Sequence, residues 1–90
     1  MRQILNKLET SILYHIDTGS GRKCVKEEVI DDTKCTVNEV NQAIKKLKIA
    51  GLLRYEDRGT FLIANFAKHH GKDIIFDDKL ELYTYEDGKN

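Results

Sequence analysis

The ninety-residue chain contains no proline and no tryptophan, only two cysteines and one methionine, and no excess charge. Each shortage excludes something. Without proline there is no rigid linker and no obvious domain boundary, so one small domain, or one domain with a short appendage, is expected. A chain of this size buries a modest core and is only marginally stable alone. Two cysteines, Cys24 and Cys35, are too few and too far apart for a CxxC pair, and they read as small buried or half-buried thiols. No apolar run approaches the ~20 residues of a membrane span. The start, MRQILNKLETSILYHI, lacks the continuous apolar core and cleavage site of a secretion signal. A cytoplasmic location and no membrane partner are therefore expected.

Chemistry is also scarce. The three histidines are His15, His69 and His70. Adjacent histidines point different ways, and no cysteine or acid stands at ligand spacing beside them, so His69 and His70 read as surface residues. No nucleophile-with-base set, glycine-rich phosphate loop or paired carboxylates in a familiar context is present. The expectation is a protein that is not an enzyme, with no metal and no cofactor.

What the chain does have is an uneven distribution of charge. Residues 1–54 carry ten Lys/Arg against seven Asp/Glu, and residues 55–90 carry five against eight, which gives a basic front and an acidic tail. Zero net charge counts against indiscriminate coating of nucleic acid, which excess Lys and Arg would carry.

The periodicity predicts a first helix over Arg2–Asp17, with Ile4, Leu5, Leu8, Ile12, Leu13 and Ile16 on one face. Gly19-Ser20-Gly21 is expected to end it through a left-handed glycine. Residues 22–25 are expected to be extended and to pair with a later strand. A short helix follows over Lys26–Asp32, with Glu27 and Glu28 near its positive end. The most informative stretch is TVNEVNQAIKKLKIAGLL, residues 36–53. Thr36 and Glu39 form a capping box, and Gly51 is the stop. Val37, Val40, Ala43, Ile44 and Leu47 form the apolar face. At ~100° per residue Asn38, Asn41, Gln42 and Lys45 fall opposite Val40, with Lys46 and Lys48 flanking. Ile49 also lands on this polar side and is expected to pack under a following loop. Leu52–Tyr55 and Thr60–Ala64 then read as a hairpin around Glu56-Asp57-Arg58-Gly59. After a connector, Asp73–Phe76 and Leu80–Tyr85 read as a second hairpin. Leu80 and Leu82 fall on one face and Tyr83 and Tyr85, ordinary strand aromatics, on the other. Glu86–Asn90 are expected to be loose.

Helix, short helix, tight turn, capped helix and hairpin is the order of a winged helix-turn-helix. The chain resembles that family over Arg2–Phe66, through EEVIDDTKCTVNEVNQAIKKL and AGLLRYEDRGTFLI. The family often has glycine where this chain has Lys34, and a small apolar residue where it has Cys35. A weaker likeness is to replication initiators of Gram-positive plasmids, whose wing reads like GTFLIANF but has proline where this chain has Phe66. The resemblance implies an α+β winged helix-turn-helix of three helices and a wing over 1–66. Residues 67–90 would add the connector, an extra C-terminal hairpin and the tail.

It further implies sequence-specific binding of double-stranded DNA, as a transcription regulator or a plasmid or phage replication factor. Helix 36–50 would enter the major groove. Asn38, Asn41 and Gln42 would read bases, and Lys45, Lys46 and Lys48 would reach phosphates. Arg58 at the wing tip would touch phosphate or the minor groove. A polar helix face is usually just solvated; the hairpin and its tip arginine, in the right order, favour the DNA reading here. The alternative is a winged helix that binds protein, as an adaptor or a small inhibitor of a larger nucleic-acid machine. Bases gathered on one face, with Glu27, Glu28, Asp31 and Asp32 turned elsewhere, would favour DNA; a scattered pattern would favour the rival. A homodimer is also expected, with the C-terminal hairpin or the first helix at its interface and the hairpin open to a protein partner.

Overall fold

The computed structural model describes residues 2–56, 58–65 and 72–87. In chain order these form β1 (Gln3–Ile4), α1 (Lys7–Thr18), a 3-10 turn (Ser20–Arg22), β2 (Lys23–Cys24), α2 (Lys26–Thr33) and α3 (Val37–Ile49). Then come β3 (Leu53–Glu56), β4 (Phe61–Ala64), β5 (Lys72–Asp77) and β6 (Leu82–Asp87). Among the described residues this is a small α+β arrangement of three helices and two three-stranded antiparallel sheets, ordered β2-β4-β3 and β1-β6-β5. The expectations for Asp57, for His69 and His70, for the connector 66–71 and for the last three residues lie outside the described residues.

α3 forms as its sequence dictates. The Thr36 hydroxyl accepts from the Glu39 amide at 3.1 Å, and the Glu39 carboxylate accepts from the Thr36 amide at 2.8 Å. The helix ends in a Schellman motif: Gly51 takes φ 78°, its N–H donates to the Lys48 carbonyl, and the Leu52 N–H donates to the Leu47 carbonyl. Val40, Ala43, Ile44 and Leu47 are buried, whereas Val37 is exposed. α2 ends at Lys34, which adopts the left-handed φ of 60°. That is the conformation glycine adopts most readily, and a side chain there costs about 1 kcal/mol.

The first helix is shorter than its periodicity predicts. It begins at Lys7, because Asn6 and Glu9 form a second capping box, with bonds of 2.8 and 2.9 Å. Gln3 and Ile4 instead pair with Tyr85 and Thr84 of β6, and the Leu5 N–H donates to the Tyr83 carbonyl. The apolar spacing from Ile4 onward is real, but the first of those residues find a strand partner and the cap fixes the boundary. Gly19 does not take the left-handed conformation (φ −74°); its lack of a side chain matters because a Cβ would run into the backbone oxygens of Lys23 and His15. The left-handed residues of this turn are Gly21 and, after it, Arg22.

The core joins α1 (Ile12, Leu13, Ile16), α2 (Val29), α3 (Val40, Ile44, Leu47), Leu52 and β4 (Leu62). Cys24 is buried and Cys35 half-buried, both free. Ile74 and Tyr83 of the C-terminal hairpin belong to the same core, and the Thr10 hydroxyl of α1 accepts from the buried Tyr83 N–H at 3.0 Å. The C-terminal hairpin is thus joined to the core through one of its faces. β6 starts two residues later than expected. Asp77 accepts from the Lys79 and Leu80 amides and holds a turn in which Glu81 takes φ 59°, leaving Leu80 exposed outside the strand. Glu86 and Asp87, expected to be loose, are part of β6. Among the described residues no helix is long and apolar enough to cross a membrane.

Candidate nucleic-acid interface

α3 presents Asn38, Asn41, Gln42 and Lys45 as one exposed row, on the side opposite the buried Val40 and Leu47. Two flanking lysines have separate partners. Lys48 leans toward the β3–β4 hairpin, its ammonium 4.8 Å from the centre of the Tyr55 ring. Lys46 leans the other way, 3.5 Å from the buried Glu9 carboxylate of α1. Lys45 and Lys48 therefore share a side and Lys46 stands apart. Between α3 and β3 runs an open groove of about 420 Å³, lined by Asn41, Ile44, Lys45, Lys48, Ile49 and Tyr55.

The hairpin turn brings in the remaining predicted residue. Gly59 (φ 91°) donates to the Glu56 carbonyl and closes the turn, and Arg58 is exposed in the left-handed conformation beside it. Across a second groove the hairpin faces the first turn of α2, with Val25, Lys26 and Glu27 on one side and Tyr55, Gly59, Thr60 and Leu62 on the other. Asn65 anchors the base of the hairpin: its amide donates to the Gly51 carbonyl at 3.1 Å, and its side-chain oxygen accepts from Arg54 at 3.0 Å.

Three features escape a reading by sequence. Lys26, at the first position of α2, donates to the side-chain oxygen of Asn41 at 2.9 Å and so belongs to the α3 face. The signal was present: a cation at a helix N-terminus opposes the helix dipole and needs another reason. Tyr55, read only as a strand residue, separates the two grooves. Ile49, expected to pack under a following loop, is instead 77% exposed at the end of the polar row.

The four acids of α2 divide. All are exposed, but Glu27, Glu28 and Asp31 border a groove that reaches Val37 at the start of α3. Asp32 faces away, 3.1 Å from the His15 ring on α1. This surface therefore has a basic half toward Lys45, Lys48 and Lys26 and an acidic margin near the first turn of α3. Among the described residues no three His, Cys, Asp or Glu side chains gather as metal ligands.

Chemically, the row offers amide donors and acceptors plus ammonium donors at helical spacing, a set suited to base edges and phosphates. Compared with known proteins, the chain matches no family model, no curated protein and no solved structure.

Proposed function

We propose that this protein is a winged helix that binds double-stranded DNA, with α3 in the major groove and the β3–β4 hairpin as the wing on the backbone or minor groove. The observation that carries the reading is the exposed row Asn38, Asn41, Gln42 and Lys45, bordered on the hairpin side by Lys48. A helix with its polar residues facing outward fits a major groove about 12 Å wide. Val40, Ala43, Ile44 and Leu47 are taken up by the core on the other side of the helix, which leaves the row facing outward. Such a protein would serve as a transcription regulator or a replication-associated factor. A dimer would match two half-sites; the row Ile4–Thr84–Ile75 across β1-β6-β5, with both isoleucines exposed, is the surface that supports one.

The test is a salt-dependent titration against random and genomic duplexes. Lys45→Ala should weaken binding to every sequence and lower the salt slope by about one. Asn41→Ala should cost about 1–3 kcal/mol on a preferred site and relax its specificity. Wild-type affinity in both variants would sink the reading. Sedimentation of the same samples without DNA checks the dimer, which a monomer at high concentration would refute.

A second reading has its own observation. Glu27 and Asp31 beside the start of α3, with Val37 and Ile49 exposed, suit a protein partner better than phosphates. Under that reading the salt titration shows no duplex binding at any sequence.

A further inference from the structure

We propose that Lys26 and Asn41 act together as one base reader that selects guanine over adenine; this rests on the DNA reading above.

An asparagine working alone reads adenine with both ends of its amide. The oxygen accepts from the adenine N6 amine while the NH2 donates to N7. In this fold the oxygen of Asn41 is already engaged. Lys26 reaches across from the first turn of α2 and donates to it at 2.9 Å. Lysine has only donors, so the atom facing it is fixed chemically as the amide oxygen. The NH2 of Asn41 is thereby the free end of the amide. The ammonium of Lys26 spends one of its three donors on the bond and keeps two.

The combined group is therefore an array of donors carrying a positive charge. On the major-groove edge guanine offers two adjacent acceptors, N7 and O6, which such an array matches. Adenine offers N7 beside an amine, and that amine would meet the ammonium donor to donor. Thymine offers one acceptor, O4, beside its methyl group, and cytosine offers the N4 amine, so neither has the paired acceptors.

The placement of Lys26 is hard to explain by helix stability. It occupies the first position of α2, where positive charge opposes the dipole, and Val25 before it provides no side-chain cap. Two acids, Glu27 and Glu28, complete that first turn, so the cation stands among residues of the opposite preference. The half-buried stem of Lys26 lies between the α2 and α3 surfaces, which holds its ammonium near the base-reading row.

The experiment is selection from a random duplex pool with the full chain, wild type and Lys26→Met, followed by titration of the selected sites at one salt concentration. Methionine keeps an unbranched apolar stem and removes the donors; a thermal melt confirms that the variant is folded. Wild type should prefer guanine over adenine at one position of its site by about tenfold or more. Lys26→Met should lose that preference or turn it toward adenine, with the other positions unchanged. Wild-type selection of adenine there, or an unchanged guanine preference in Lys26→Met, overturns the proposal while leaving the DNA reading intact. So does a uniform loss of affinity on all sequences, which would make Lys26 a phosphate contact. Enrichment of no duplex by wild type overturns the DNA reading itself, and this proposal with it.

Discussion

The two sheets are built on one plan and held by different means. Each is a hairpin whose second strand takes a two-residue strand from the first part of the chain: β2 on β4, and β1 on β6. The β2-β4-β3 sheet contributes Cys24, Leu53, Leu62 and Ala64 to the core and leaves its outer side to Arg54, Glu56, Phe61 and Lys23, whose ammonium lies 4.3 Å from the Phe61 ring centre. Its turn end projects, with Arg58 and Tyr55 exposed. The β1-β6-β5 sheet is tied to α1 by Tyr83, Ile74 and the Thr10 bond, and its outer side is clasped by Arg2, which donates to Asp73 and to Thr84. One hairpin is thus an arm with a free end, and the other is a wall of the core. Hairpin propensity is the same in both; what each packs against makes the difference.

Tyrosine truncation should separate the two most widely. Tyr83→Ala removes a side chain that is 5% exposed and stacks edge-to-face on Phe76, and should cost roughly 3 kcal/mol or more. Tyr55→Ala, on the projecting hairpin, should stay within about 1 kcal/mol. Chemical denaturation of both variants checks the contrast, and equal losses would mean that the arm is as integral as the wall.

A smaller effect isolates the joint between α1 and β6. Thr10→Val keeps the shape but leaves the buried Tyr83 N–H without its acceptor, at a cost of about 1–3 kcal/mol. Amide exchange should rise at Tyr83 and leave β3 and β4 unchanged. Spread of the loss across both sheets would show that they open as one unit.

The smallest expected effect is in alkaline solution. Burial, with the Glu28 carboxylate adding to it, pushes the Cys24 thiol up to about 11. Burial, with Asp17 nearby, raises the Tyr83 phenol above its usual range. A raised value in the folded state gives stability that is fully present below the ordinary value and lost as pH rises through the raised one. Stability should therefore begin to fall near the ordinary thiol value of 9 and keep falling toward about 11 through Cys24, with Tyr83 adding above its ordinary 10. Cys24→Ala should flatten the lower part of that decline. A stability curve of the same shape in the variant would show that Cys24 does not carry the decline.

Much of the α3 region was legible because its signals are local. A capping box, four apolar positions at helical spacing and a terminal glycine act within one stretch of chain, and they fix which side of the helix Asn38, Asn41, Gln42 and Lys45 share. The β3–β4 hairpin followed from its turn residues in the same way. The pairing of residues 22–25 with a later strand was also expected, and Lys23–Cys24 on β4 is its observed form. The start of α1 was misjudged although its signal is equally local: Asn6 and Glu9 form a capping box, overlooked beneath an apolar period that runs on to Ile4.

Local sequence thus determined where the helices and hairpins form, because caps, turns and periodicity act over a few residues. Tertiary structure alone decided what meets across longer separations. Gln3 and Ile4 became a strand because β6 offered an edge, and Gly19 is needed because the chain passes close to Lys23. Lys46 turned to Glu9, Lys48 to Tyr55 and Lys26 to Asn41 because long side chains settle on whichever charge, ring or amide the packing of other elements brings within reach.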